Sequence, residues 1–115
     1  MSARILIVED EPLIALELVT VLTAAGHTVI GPATEVAEGL KLLADPGCDA
    51  AVLDVNLGRE TAAPIAEAMR SRGLPFVIVS GYSKQQQPPA FSGAPFLPKP
   101  IDTAALMVAL RGFVK

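Results

Sequence analysis

Four short apolar runs in this chain each lead into reactive side chains, and this repetition restricts the possible fold more than any other feature. Helical patterns separate the runs, so we predict that they are buried strands. In chain order the runs are residues 5–8 before Glu9 and Asp10, residues 51–53 before Asp54, residues 76–79 before Ser80, and residues 96–97 before Pro98 and Lys99. Strands joined by helical crossovers run parallel, so their carboxyl ends lie along one edge of a sheet, where such sheets bind ligands. We therefore expect the acids, the hydroxyl and the lysine to converge there.

The segments between these runs predict four helices and one further strand. The first helix ends at Gly26, and it is apolar on more than one face because it includes Leu13 and Leu16. This pattern fits either a docking surface or burial of a wide surface, and we favour burial. The further strand is short, Thr28–Ile30, and is expected to end at Gly31-Pro32. The predicted order of elements is β-α-β-α-β-α-β-loop-β-α.

Capping residues and prolines mark the ends of several elements. Thr34 is the predicted cap of the second helix, and Asp102 is the predicted cap of the last helix. The region 83–95 breaks the pattern because Gln85-Gln86-Gln87-Pro88-Pro89 has no apolar periodicity and its prolines exclude a normal helix. We predict a mobile loop in this region.

Length and composition limit the classes of function. The 115 residues fit a single domain, 1–115, and an apolar content of 51% argues against disorder. The net charge is −3 without a basic cluster, which argues against a nucleic-acid partner. The sequence contains neither a membrane-spanning stretch nor a secretory signal, so we expect no membrane association and a cytoplasmic location. The single cysteine, Cys48, is interpreted as an ordinary small residue.

The expected cluster of acids suits a divalent cation. Glu9, Asp10 and Asp54 would repel one another, because two like charges about 4 Å apart cost about 4 kcal/mol at an effective dielectric near 20. Mg²⁺, or Mn²⁺ in its place, accepts carboxylates, backbone carbonyls and phosphate oxygens as ligands. We expect Asp10 to bind the metal directly and Glu9 to bind it directly or through water. Asn56 offers its backbone carbonyl as a further ligand.

The remaining polar residues suit phosphoryl transfer. Asp54 is the expected nucleophile and would form an aspartyl phosphate. Lys99 would pair with this carboxylate before transfer and with a phosphoryl oxygen after it, while the Ser80 hydroxyl donates to another phosphoryl oxygen. Each residue alone also fits a turn, a cap or an exposed side chain. Their shared position at the ends of strands favours a site.

These motifs resemble the receiver domains of bacterial two-component response regulators over nearly the whole chain. The matching segments are residues 5–11 (ILIVEDE), 52–57 (VLDVNL), 79–81 (VSG) and 97–100 (LPKP). The resemblance implies a doubly wound α/β fold whose five parallel strands have the flavodoxin-like order 2-1-3-4-5. It makes Asp54 the phosphoacceptor, and it makes Ser80, Tyr82 and Phe96 switch residues. It also implies a cis bond between Lys99 and Pro100.

One part of the chain departs from the family pattern. Receivers generally have a fourth helix between the fourth and fifth strands, where this chain has its Gln/Pro segment. Phe76 with Ser80-Gly81-Tyr82 is similar to a subgroup with a Phe-x-x-x-Thr/Ser-Gly-Tyr strand and an atypical fourth helix. We therefore expect this helix to be absent, short or mobile.

The resemblance implies a signalling function. Receivers take a phosphoryl group from a phosphohistidine, so the expected donor is a sensor histidine kinase or a histidine phosphotransfer protein. We expect it to dock near the first helix and the loop between the fifth strand and the last helix. The expected target is an unidentified downstream protein. We expect a stand-alone response regulator or a phosphate sink, and not a turnover enzyme. The position of Met1 directly before the first strand favours an intact product.

Three alternatives remain open. The chain could be a receiver domain cut from a hybrid histidine kinase, a small Mg²⁺-dependent phosphatase with an aspartate nucleophile, or a pseudo-receiver that is never phosphorylated. The phosphatase is disfavoured because Asn56, and not an acid, lies two positions beyond Asp54. The pseudo-receiver is disfavoured because every expected position is filled.

Overall fold

The structure, a computed structural model, describes residues 2–44, 47–81 and 88–113. Its strands are β1 (Arg4–Val8), β2 (Thr28–Ala33), β3 (Ala50–Asp54), β4 (Asn56–Leu57), β5 (Glu60–Thr61), β6 (Phe76–Ser80) and β7 (Phe96–Pro98). Its helices are α1 (Pro12–Ala24), α2 (Val36–Leu43), α3 (Ala63–Ser71) and α4 (Thr103–Arg111), with a 3₁₀ turn at Pro89–Phe91. Among the described helices, none is both long enough and apolar enough to cross a membrane.

The main sheet has five parallel strands in the order β2-β1-β3-β6-β7. Since β6 and β7 are the fourth and fifth strands expected from the sequence, the flavodoxin-like order 2-1-3-4-5 is confirmed. Asp54 pairs with Val79, and Ser80 pairs with Pro98, so the neighbouring strands end at nearly the same level. The antiparallel hairpin β4–β5 was not predicted, because each of its strands has only two residues and carries no periodicity.

Both faces of the sheet are covered by helices. Successive side chains in a strand point to opposite faces, so β1 and β3 contribute to two apolar clusters. One cluster joins the sheet to α2 and α3, and it includes Leu6, Val8, Leu53, Ile65 and Met69. The other joins the sheet to α1 and α4, and it includes Ile5, Ile7, Val52, Leu18 and Leu106. Burial on two faces explains why the central strands are continuous apolar runs and do not alternate.

Helix α1 buries one face only. Leu18 and Leu22 are buried against the sheet, whereas Leu13 and Leu16 are 81% and 62% exposed. The interpretation of α1 as widely buried was therefore wrong. The sheet covers only the stripe that carries residues spaced by three and four positions, and the leucines near the start of α1 lie off this stripe. Gly26, at φ 93°, follows the helix as expected.

Strand β2 is longer than the sequence predicted. It continues through Gly31-Pro32 to Ala33, which pairs with Val8. The expectation that Gly31-Pro32 ends the strand was wrong because β2 is an edge strand, where a proline lacking an amide hydrogen removes no bond of the sheet interior. Gly31 has φ 96°, and a Cβ there would lie 3.0 Å from the Ile7 carbonyl oxygen, so the close approach requires glycine.

The predicted helix caps have different outcomes. Helix α2 begins after Glu35, and the Thr34 amide donates to Glu38 Oε1 at 2.9 Å, so the prediction of Thr34 as the cap was wrong. The extended backbone at Glu35 moves the helix start by one residue. Asp102 caps α4 as predicted, because its carboxylate accepts two backbone amides at 3.0 and 3.2 Å.

Residues 83–87 of the predicted mobile loop 83–95 lie outside the described residues. The described part, residues 88–95, contains a short 3₁₀ turn and no α-helix. Phe91 is buried in the cluster with α2 and α3. Arg70 of α3 anchors this turn through two hydrogen bonds. Its Nε donates to the Ala90 carbonyl at 2.9 Å, and its Nη2 donates to the Ser92 carbonyl. The same guanidinium lies 5.2 Å from the centroid of the Phe76 ring.

We expect Arg70→Ala to loosen residues 90–94 and to lower the free energy of unfolding by about 1–2 kcal/mol, because two hydrogen bonds from a charged group are lost. Arg70→Lys should restore only part of this loss, since an ammonium cannot reproduce the planar fork. Amide exchange and urea unfolding measure both effects, with the exposed Arg59→Ala as the control. Unchanged exchange at residues 90–94 in Arg70→Ala would contradict this role.

Candidate functional site

The carboxyl edge of the main sheet brings the predicted polar residues together. Glu9 follows β1, Asp54 ends β3, Ser80 ends β6, and Lys99 follows β7. These residues lie far apart in the sequence, and the parallel pairing of their strands places them side by side. The structure therefore has the convergence that the pattern of apolar runs predicts.

Four carboxylates form a compact acidic cluster at this edge. Glu9, Asp10, Glu11 and Asp54 each provide an oxygen, and these oxygens lie within 4.8 Å of one another. Three members of the cluster were predicted from the sequence. Glu11 was not, because an acid directly before a helix is ordinarily a helix-start residue; its place next to the acidic pair was the signal that could have identified it.

Lys99 is the cation of this cluster. Its Nζ lies 3.2 Å from Glu9 Oε1, 2.9 Å from Glu11 Oε1 and 3.2 Å from Asp54 Oδ2. Burial lowers the pKa of Lys99, but the hydrogen bond to Glu11 and the charges of Asp54 and Glu9 outweigh burial and raise the pKa above its ordinary value. The side chain therefore remains an ammonium ion throughout the physiological pH range.

Asp54 is buried, with 4% of its surface exposed. Burial raises the pKa of its carboxyl to about 8, the hydrogen bond and the charge of Glu9 act in the same direction, and Lys99 opposes them. A single lysine thus leaves the negative charge of the site incompletely balanced. A further cation would favour the ionised, nucleophilic form of Asp54.

Glu9 provides the observation that tests whether a metal fits. Its Oε2 accepts the Glu11 amide at 3.1 Å and Lys99 Nζ at 3.3 Å. Its Oε1 is buried and, among the described residues, has no partner with hydrogen-bond geometry, although Lys99 Nζ is near it. A buried acceptor without a donor costs about 1–3 kcal/mol. An orphaned carboxylate oxygen within an all-oxygen cluster matches the ligands that Mg²⁺ and Mn²⁺ prefer.

The hairpin β4–β5 forms the wall of the site beside Asp54. The Asn56 amide lies 3.4 Å from Asp54 Oδ1, and the Gly58 amide donates to Asp10 Oδ2 at 3.0 Å. Gly58 was not identified from the sequence because the hairpin itself was not predicted. A cavity of about 420 Å³ opens between these elements. Its lining residues are Asp10, Glu11, Asp54, Asn56, Gly58, Gly81 and Lys99.

The three expected switch residues occupy different surroundings. Ser80 is fully buried at the end of β6, and its carbonyl accepts the Lys99 amide at 3.0 Å. Phe96 is half-buried and lines a separate cavity of about 280 Å³ beneath the 3₁₀ turn, together with Ile78 and Phe91. Tyr82 lies outside the described residues. The bond between Lys99 and Pro100 is cis, as the resemblance implies.

The raised pKa of Asp54 predicts how the stability of the metal-free protein depends on pH. The folded-state pKa of Asp54, about 8, lies above the ordinary value of 3.8. The contribution of this carboxyl to the free energy of unfolding is therefore complete below pH 3.8 and is lost as the pH rises through 8. Asp54→Asn removes this loss. We expect Asp54→Asn to exceed the wild type in unfolding free energy by more than about 1 kcal/mol near pH 8, with a smaller difference near pH 5. Urea unfolding in a chelator measures this difference, the exposed Glu17→Gln is the control, and parallel pH profiles of the wild type and Asp54→Asn would contradict it.

Comparisons with known proteins identify the family. The model of the response regulator receiver domain matches residues 5–111. The phyllosphere-induced regulator PhyR of Methylorubrum extorquens is 31% identical over 107 residues, which cover 85% of this chain and 40% of that protein. The chain spans about half or less of the length of the curated relatives that it matches.

Solved structures agree in fold over nearly the whole chain. SdrG from Sphingomonas melonis Fr1 is 42% identical, with a TM-score of 0.85 over 96% of this chain and 95% of that one. The BeF3-activated conformation of SdrG, from Pseudomonas melonis Fr1, is 44% identical, with a TM-score of 0.78 over 96% of this chain and 98% of that one. With the family match over residues 5–111 and the shared fold, this chain belongs to the response regulator receiver domains of two-component signalling.

Proposed function

We propose that residues 1–115 form a single receiver domain in which Asp54 accepts a phosphoryl group from a phosphohistidine in the presence of Mg²⁺. The observation that carries this proposal is the placement of Lys99 Nζ 3.2 Å from Asp54 Oδ2 inside a cluster of four carboxylates. The cluster combines a nucleophile, a fixed cation and an excess of oxygen ligands, which together are what phosphoryl transfer to a carboxylate requires.

Glu9, Asp10 and Asp54 are the proposed side-chain ligands of Mg²⁺ or Mn²⁺, and Asn56 is the proposed ligand through its backbone carbonyl. The metal, when bound, supplies positive charge that neutralises the carboxylates and the incoming phosphoryl group. The buried Oε1 of Glu9, which has no hydrogen-bond donor among the described residues, supports its assignment as a ligand. The wall residue Asn56 lines the same cavity as Asp10 and Asp54.

The proposed reaction moves the phosphoryl group from a donor histidine to Asp54. A carboxylate oxygen of Asp54 forms a bond to phosphorus while the phosphorus–nitrogen bond of the donor phosphohistidine breaks. The imidazole leaves with the electron pair of that bond and takes up a proton, and Asp54 becomes an acyl phosphate. Lys99, held as an ammonium ion, pairs with a phosphoryl oxygen. The Ser80 hydroxyl donates to another, in its proposed role as a switch together with Phe96 and Tyr82.

We propose that the donor imidazole comes from a partner. His27 is the only histidine in the sequence, and its Nδ1 accepts the Ala3 amide at the opposite edge of the sheet. Receiver domains interact with histidine kinases or histidine phosphotransfer proteins, and we propose a protein of one of these kinds as the donor. The exposed leucines Leu13 and Leu16 lie in the first turns of α1, shortly after Glu11 at the rim of the site, so this surface is the proposed docking area.

The proposed output is contact with a downstream protein, or use of the chain as a phosphate sink, by a stand-alone response regulator. Agreement with SdrG over 95% of the SdrG chain supports this organisation. Receiver domains are generally not turnover enzymes, and we propose one stoichiometric phosphorylation per molecule here.

We expect incubation with acetyl phosphate and Mg²⁺ to add one phosphoryl group to the wild type and none to Asp54→Asn, as measured by intact mass. Lys99→Ala should slow labelling at least tenfold because the phosphoryl oxygen loses its cation, and a chelator should abolish it. Glu17→Gln, an exposed change on α1, is the control. An adduct retained by Asp54→Asn, or continuous turnover of a phosphomonoester, would contradict the proposal.

We expect the double variant Leu13→Ser, Leu16→Ser to take phosphate from a phosphorylated histidine phosphotransfer protein about tenfold more slowly than the wild type, since central apolar contacts of an interface are each worth more than about 1 kcal/mol. Labelling by acetyl phosphate should not change, because that donor needs no docking surface. Val108→Ser, a residue of α4 that is 63% exposed, is the matched control. Equal transfer rates in all variants would exclude this docking area.

A further inference from the structure

All three hydrogen-bond donors of the Lys99 ammonium are in use. An ammonium carries three N–H donors. In this structure they point to Glu9 Oε2 at 3.3 Å, Glu11 Oε1 at 2.9 Å and Asp54 Oδ2 at 3.2 Å. A phosphoryl oxygen on Asp54 therefore gains a direct donor from Lys99 only when one of the three carboxylates gives its donor up.

The three carboxylates differ in what their release costs. The Glu9 and Asp54 side chains are 0% and 5% exposed, whereas the Glu11 side chain is 58% exposed. Releasing Glu9 would leave its fully buried carboxylate with the Glu11 amide as its remaining donor, at Oε2, and with none at Oε1. Glu11 would only exchange the ammonium for water. Asp54 keeps a carbonyl oxygen that can accept from Lys99 when it becomes an acyl phosphate, so the choice lies between the two glutamates. Of these, Glu11 is the partner that leaves at the lower cost.

The backbone of Glu11 is held in place while its side chain points away from its own helix. Glu11 is the N-cap residue of α1, and its amide donates to Glu9 Oε2 at 3.1 Å. An N-cap side chain ordinarily accepts a bond from the first amides of its helix. Glu11 makes no such bond, and its carboxylate accepts Lys99 from the other end of the chain.

We propose that Glu11 is an internal competitor of the phosphoryl group: in the unphosphorylated protein its carboxylate occupies the donor of Lys99 that a phosphoryl oxygen takes. This inference rests on the proposed function of Asp54. Glu11 thereby sets how readily the site accepts a phosphoryl group, without taking part in the bond that forms. An exposed ion pair is a modest competitor, so its removal should change affinity by roughly three- to fivefold.

The test uses beryllofluoride, a phosphoryl mimic, at saturating Mg²⁺ with the full chain. We expect Glu11→Gln to bind beryllofluoride roughly three- to fivefold more tightly than the wild type, and Glu17→Gln on the same helix to match the wild type. Glu11→Asp keeps the charge but shortens the side chain. If contact with Lys99 is the cause, Glu11→Asp should resemble Glu11→Gln.

A second readout needs neither metal nor mimic. In a chelator, the NMR signal of the Lys99 Cε group should shift in Glu11→Gln and not in Glu17→Gln, because Glu11 is an ion-pair partner of the ammonium and Glu17 is an exposed residue further along α1. An unshifted signal, or beryllofluoride affinity that is equal to or weaker than that of the wild type, overturns the inference. If the wild type itself fails to bind beryllofluoride, this result contradicts both the proposed function of Asp54 and the inference about Glu11. If the wild type binds and Glu11→Gln binds no more tightly, only the competitor role is lost.

Discussion

The parallel pairing of β1, β3, β6 and β7 is the constraint on which the rest of this structure depends. Because the strands run in one direction and end at nearly the same level, each contributes its terminal polar residue to one edge of the sheet. The apolar interiors of β1, β3 and β6 are buried on both faces of the sheet, which fixes the ends of these strands. The polar residues at the strand ends are thus positioned by the packing of apolar residues earlier in the same strands. The loops that follow the strands add only nearby residues to the cluster.

The cluster at this edge is electrostatically unbalanced. Four carboxylates form the cluster, three of them contact the ammonium of Lys99, and burial of Asp54 disfavours its ionised form. Such an arrangement lowers the stability of the unliganded protein, and proteins commonly retain destabilising charges where function needs them. The same excess of negative charge favours binding of a cation, which would neutralise the carboxylates. The bound cation would in turn favour binding of a phosphoryl group.

Much of the fold and of the site could be predicted because the relevant signals are local. Each strand is a compact apolar run, and the polar residue that ends it is adjacent in sequence, so the positions of Glu9, Asp54 and Lys99 follow from short segments and parallel pairing. The order of the strands in the sheet was implied by the resemblance to receiver domains. The incorrect predictions concern features that depend on packing between elements far apart in the sequence. The length of β2 depends on its place at the edge of the sheet, and the exposure of Leu13 and Leu16 depends on how much of α1 the sheet covers.

The order of apolar runs and their polar ends was sufficient to determine which residues meet, since parallel strands allow only one common edge. Tertiary structure alone decided how they meet. The contact between Glu11 and Lys99 joins residues 88 positions apart, the Gly58 amide reaches Asp10 across 48 positions, and Arg70 anchors a turn 20 positions away. Contacts of this kind depend on how whole elements are placed relative to one another. The periodicity of a single segment cannot predict them, because periodicity reports only which face of that segment is buried.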